Sequence, residues 1–224
     1  WCACLAVAGG IRCGDAAAAS VGGAAAAIPE FSAGADISSY GYIESHGGIY
    51  RLRGRQMSLP LLLSRAGCNT VRLRLWHRAS PEEARRRGVA GTGNDLRYTI
   101  PLAREIKRRG EYLVLDMHFS DTWADPGHQL TPDAWRGLDY EQLRKRVRGY
   151  AERVMLAFRK ASATPDMVMV GNEINQGMLW PQGRLWVRGR PRWSRLAGLL
   201  RAATAGIDAG SGGRRPAIML QVAY

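Results

Sequence analysis

The stretch "DMVMVGNEI", residues 166–174, decides the fold. Met167, Val168, Met169 and Val170 are all apolar, with no polar alternation. A strand of that kind is buried on both faces, as in a parallel sheet covered by helices. The run then ends on Asn172 and Glu173, with Gly177 and Trp180 just beyond in "NQGMLWP". A carboxylate at a strand end, with an amide beside it and an indole within reach, suits hydrolysis of a sugar linkage with retention, and that chemistry needs a second carboxylate.

Outward from this stretch the same rhythm repeats. Four other apolar segments read as strands: "AGADIS" (33–38), "NTVRLRLW" (69–76), "YLVLDMHFS" (112–120) and "AIMLQVAY" (217–224). Helix punctuation lies between them. In "SLPLLLSRAG", Ser58 is a candidate N-cap, Pro60 falls in the first turn and Gly67 is a stop. "TIPLAREIKRRG" repeats the scheme with Thr99, Pro101 and Gly110. In "EQLRKRVRGYAERVMLAFRK", Leu143, Val147, Tyr150, Val154 and Phe158 step by three or four and share one helix face.

Strand–helix alternation means a parallel sheet, either open or closed into a barrel. "GADISSYGYIESHGG" is no dinucleotide-binding loop. Polar residues end four successive strands: Asp36; Arg72 and Arg74; Asp116 and His118; Asn172 and Glu173. A barrel gathers such ends into one site, whereas an open sheet uses mainly the strands at its switch point. The expected fold is therefore a TIM (β/α)8 barrel, present as an incomplete barrel of about five βα units.

The remaining composition sets bounds. The chain has 224 residues, is 46% hydrophobic and carries a formal charge of +13. Lysine occurs only at 107, 145 and 160, so the excess is arginine, which fits solvated helix faces or an anionic partner. No apolar run approaches the roughly 18 residues of a membrane helix. Cys2, Cys4, Cys13 and Cys68 match no zinc-site spacing and no disulfide framework, and Cys68 reads as a small core residue. Residues 1–30 are low in complexity, a leader or signal remnant, and 31–224 form the barrel portion.

Several residues carry the chemistry. Arg72 and Arg74 lie two apart on a strand and point to one face, with Asp116 on the next strand to pair with them. Glu173 is the candidate general acid/base, and Asn172 is placed to hydrogen-bond a sugar hydroxyl. Alternatively, Glu173 is a structural acid paired with Arg72 or Arg74. "HFSDTWADPGHQLTPDAW" (118–135) adds His118, Asp121, Trp123 and Trp135 beyond a strand end, where aromatic faces would stack on sugar rings. His118 and His128 lack a third ligand, so no metal and no cofactor is expected.

In order and spacing, "GADIS", "VRLRLW", "DMHFSDTWADPGHQ" and "VGNEINQGMLWPQG" resemble glycoside hydrolase family 53, the arabinogalactan endo-β-1,4-galactanases. The resemblance implies a (β/α)8 barrel with its acid/base at the end of strand four, which is Glu173 here, and its nucleophile at the end of strand seven. Asn172 matches the adjacent amide, and Arg72 or Arg74 the strand-two arginine. His118, Asp121, Trp123 and Trp180 fall in motifs bordering the galactan cleft. The chain departs from the pattern at Gln221 and Ala223, at "HRASP" after Trp76, and in the basic "GRLWVRGRPRWSRLAGLLR".

The sequence reaches a fifth strand, and three further units would add on the order of 140 residues. The expectation is thus a galactanase fragment that lacks the nucleophile and is inactive alone. The alternative is a catalytically dead carbohydrate-binding remnant. Galactan or arabinogalactan is the expected partner, with no nucleic acid and no membrane, and the expected setting is extracellular. Interleaved Arg and Trp in "RLWVRGRPRWSR" would otherwise suggest nucleic-acid binding, but that would leave the strand-end motifs as coincidence.

Overall fold

A computed structural model describes residues 27–78 and 93–223. Most of the expected leader, three of the cysteines, part of "HRASP" and Tyr224 lie outside the described residues.

In chain order the elements are β1 (Gly34–Asp36), α1 (Tyr40–Ser45), β2 (Tyr50–Leu52), β3 (Arg55–Met57), α2 (Leu59–Arg65), β4 (Thr70–Leu75), α3 (Leu96–Arg108), β5 (Tyr112–Met117), α4 (Tyr140–Lys160), β6 (Met167–Val170), β7 (Trp186–Val187), β8 (Arg190–Pro191), α5 (Trp193–Gly210) and β9 (Ala217–Met219). The five expected strands form one sheet in the order β1-β4-β5-β6-β9. Every pairing in it is parallel. No pairing joins β1 to β9 among the described residues, so the sheet is five (β/α)-barrel units and not a closed barrel.

Each strand is shorter than its apolar run. His118, Asn172 and Glu173 lie just past the last paired residues of β5 and β6, in the loops the strands feed. The α3 helix begins at Leu96 and not at Thr99, because the Asp95 carboxylate accepts a hydrogen bond from Tyr98 N–H (3.0 Å) and caps the first turn. Thr99 is instead buried inside the helix. Cys68 is half-buried just ahead of β4, not in the core.

Two hairpins, β2–β3 and β7–β8, had no counterpart in the sequence reading. Both turn on Arg-Gly: Arg53 and Gly54 have φ of 49° and 78°, and Arg188 and Gly189 have 51° and 72°. Two-residue turns with both φ positive match the twist of the strands they join. Glycine takes the second position without strain, and arginine accepts the strained first one.

The core lies on the helix side of the sheet. Val71, Leu73 and Leu75 of β4, Leu113, Leu115 and Met117 of β5, and Val168 and Val170 of β6 are fully buried there with Val147, Val154 and Phe158 of α4. The alternate residues of the same strands point to the concave side, as a period of two requires.

Candidate active site

The concave face is graded. At its deep end Tyr112, Val114, Met167 and Met169 form a second apolar cluster, packed with Ala217 and Met219. Toward the C-terminal strand ends it becomes charged. Register sets Asp36 beside Arg72 and Arg74 beside Asp116. A cavity of about 290 Å3 lies over this face, lined by Asp36, Arg72, Trp123, Asn172, Glu173 and Gln221 among others.

One ion network holds the cavity's edge. Arg72 donates to Asp36 Oδ2 (2.6 Å), to Asn172 Oδ1 (2.7 Å) and to Asp116 Oδ2. Arg74 donates to Asp36 Oδ1 at 3.0 Å. Burial alone would push the Asp36 carboxyl up, but Arg74, Arg72 and the Ser38 hydrogen bonds outweigh it and hold it below the ordinary aspartate value. Asp116 is wholly buried, so its charge is tolerable only because Arg72 matches it. The Arg74 guanidinium also stacks on the Trp123 ring, 4.1 Å from its centroid, and so fixes the indole at the cavity wall.

Glu173 stands apart from this network. Both arginines are committed to Asp36 and Asp116, and among the described residues no ion pair forms to the Glu173 carboxylate. The alternative of a structural acid paired with Arg72 or Arg74 therefore does not describe this site. The backbone brings the side chain to the cavity through an unusual turn. Gly171 has φ +82°, and Glu173 itself has φ 50° and ψ 53°, the left-handed region that a side chain rarely adopts. Gln129, buried and missed in the sequence reading, braces the turn by donating to the carbonyls of Asn172 (2.8 Å) and Glu173 (3.2 Å). Asn172 donates to the Ala124 carbonyl at 2.6 Å. One amide hydrogen of Asn172 is left over.

Four of the expected site residues thus meet at one cavity: Arg72, Trp123, Asn172 and Glu173. Arg74 supports Trp123 from behind. The other three are not brought there. His118 is 1% exposed: its Nδ1 accepts from Ala124 N–H (3.1 Å), and its Nε2 lies 3.0 Å from Asp116 Oδ2 without hydrogen-bond alignment. With Nδ1 accepting, a neutral ring carries its proton on Nε2. His118 is a brace between strand end and loop, not a wall of the cavity. Asp121 ties two loops together by accepting from His77 Nδ1 (2.9 Å) and Asp133 N–H (2.8 Å). Burial raises its pKa, but these bonds win and lower it overall. Trp180 lines a separate groove with Thr131, Arg136 and Gln182, where its backbone N–H donates to Gln129 O at 2.7 Å. The Arg184 guanidinium lies 4.5 Å over its ring.

Parallel strands alternating with helices, with polar groups collected at their C-terminal ends, define a (β/α)-barrel protein of which five units are present here. The profile of Glycosyl hydrolase family 53 matches residues 32–223, and the chain belongs to that family. It is 40% identical over 183 residues to a Niallia circulans protein described as "Uncharacterized protein in bgaB 5'region", covering 79% of this chain and 47% of that one. It is 36% identical over 191 residues to the arabinogalactan endo-beta-1,4-galactanase of Humicola insolens, covering 84% and 52%. A solved fungal beta-1,4-galactanase superposes with a TM-score of 0.73 at 35% identity, covering 84% of this chain and 52% of that structure. The chain spans about half the length of the curated relatives it matches.

Proposed function

We propose that this chain is the acid/base half of an endo-acting hydrolase that cleaves β-1,4-galactan with retention. One observation carries the proposal: Glu173 is the cavity carboxylate that no arginine neutralises among the described residues, while Asp36 and Asp116 are both paired. A paired carboxylate serves poorly as a proton donor, because the arginine favours its charged form. Family membership and the galactanase names of relatives support the choice of substrate.

In the first step Glu173 gives its proton to the leaving oxygen while a second carboxylate attacks the sugar. In the second step Glu173 takes a proton from the water that frees it. Retention sets the two carboxyls about 5–5.5 Å apart. Asp36 and Asp116 are both held by Arg72, so in this proposal the nucleophile is a further carboxylate and neither of these two. Galactan is an extracellular polymer, so the site of action is extracellular.

The test is Glu173→Gln in the full-length protein. Turnover on β-1,4-galactan should fall about 10²–10⁴-fold. An aryl galactoside with a good leaving group should lose much less. Equal losses on both substrates would remove the proton-donor role, and an unchanged rate would remove Glu173 from the mechanism.

A further inference from the structure

The β7–β8 arm is not used by the cavity chemistry. Its base is fastened to the strand end that carries Glu173: Gly177 pairs with Arg184, and Leu185 N–H donates to Gln176 O at 2.9 Å. The arm therefore rises at the catalytic end of the sheet. Its charge is one-sided. From Ile174 to Ile207 the chain has arginine at 184, 188, 190, 192, 195 and 201, and no Asp, Glu or Lys. Arg195 is tied to Gln182 and lies over Tyr140. Arg188 and Arg190 are exposed, and among the described residues neither they nor Arg192 forms an ion pair. Trp186 and Trp193 are 46% and 60% exposed. Register sets Trp186 opposite the exposed Pro191, so an indole and a pyrrolidine ring lie together on one side of the hairpin.

We propose that this arm binds a carboxylate-bearing polysaccharide beside the cavity that holds Glu173. The inference rests on the galactan reading of the Glu173 site. Guanidinium groups match carboxylates as a planar fork. The exposed indoles supply the stacking faces that pyranose rings take, so the arm offers both things a uronic acid residue needs. Unpaired like charges on a two-residue hairpin repel one another, and an anionic ligand relieves that repulsion. The arm's attachment three residues past Glu173 favours a polysaccharide over a nucleic acid.

Affinity electrophoresis of the full-length protein, in gels containing polygalacturonate, neutral β-1,4-galactan or duplex DNA, tests this. Polygalacturonate should retard the protein, and added salt should weaken that retardation. The triple variant Arg188→Gln, Arg190→Gln, Arg192→Gln should bind polygalacturonate about tenfold more weakly. Trp186→Ala should lose roughly fivefold or more. If the triple variant misfolds by circular dichroism, the single Arg190→Gln, at an exposed position, should still show a partial loss. Absence of retardation, or retardation unchanged in every arginine variant, overturns the proposal. Duplex DNA binding as strong as polygalacturonate binding, with the same dependence on Trp186, overturns it in favour of a nucleic-acid surface. Hydrolysis of neutral galactan, measured in parallel, reports on Glu173 separately: its absence beside intact polygalacturonate binding would sink the galactanase reading and leave the arm's ligand standing.

Discussion

The two faces of the sheet are cut from the same strands, alternate residue by alternate residue, and they serve different ends. On the helix side β4, β5 and β6 present only aliphatic residues and methionine, all essentially sealed from water. On the concave side the same strands present Thr70, Arg72 and Arg74, then Tyr112, Val114 and Asp116, then Met167 and Met169. Sealed apolar packing and charge are thus separated by residue parity and not by strand. The separation fails at β9, where Ile218 sits in register with the buried Val168 yet is 39% exposed.

That failure gives the largest expected effect. A polypeptide of residues 31–224 alone should aggregate, or form a loose species that binds a hydrophobic dye, and should not hydrolyse galactan. Among the described residues β1 and β9 offer unpaired edges, and each exposed large apolar side chain forfeits roughly 1.5–3 kcal/mol against a total stability of about 5–15 kcal/mol. A cooperative thermal transition with galactan hydrolysis would mean that an acid already in this polypeptide is the nucleophile.

In the full-length protein, Asp116→Ala should cost about 3–5 kcal/mol in a denaturant titration, since it leaves part of the Arg72 charge unmatched in a buried place. It should also depress activity by freeing Arg72 to swing. Leu115→Ala, one residue away on the other face, should cost about 2–5 kcal/mol and leave the turnover of the folded fraction unchanged. If the two variants behave alike in both assays, parity does not divide the roles. Trp123→Ala should weaken galacto-oligosaccharide binding by about 1–3 kcal/mol, by analogy with bases stacked on aromatics, with little change in thermal midpoint. The smallest effect is in pH. The Asp36 carboxyl is held below its ordinary value, so its contribution to stability is full above that value and is lost as pH falls through the lowered one. The midpoint should therefore be flat near neutrality and fall below about pH 4. Asp36→Asn should be less stable at neutrality and show a shallower fall.

Long buried strands were legible in the sequence because an apolar run with no alternation has few alternatives in a chain this polar. The five strands, their parallel order and the collection of charge at their ends all followed from that. The hairpins were not legible, since β2, β3, β7 and β8 are two or three residues long, too short for an apolar alternation to show. The repeated Arg-Gly step at 53–54 and 188–189 was the available signal. At the cavity, Glu173, Asn172 and Arg72 were legible from strand position, and Trp123 from the aromatic loop that follows β5. Gln129 was not, because its partners lie 43 and 44 residues away and only the folded loop brings them together. Trp180 was legible only by its closeness in sequence to Glu173, and the fold sets it in a groove of its own with Thr131, Arg136 and Gln182.

The left-handed conformation of Glu173 also carries a cost in stability. At φ 50° a glycine would relieve strain worth about 1 kcal/mol, so on stability alone this position favours losing its side chain. Glutamate sits here between a glycine that takes its own positive φ and a loop glutamine that braces both carbonyls, so the surrounding turn holds a side chain in a place the backbone alone would leave bare.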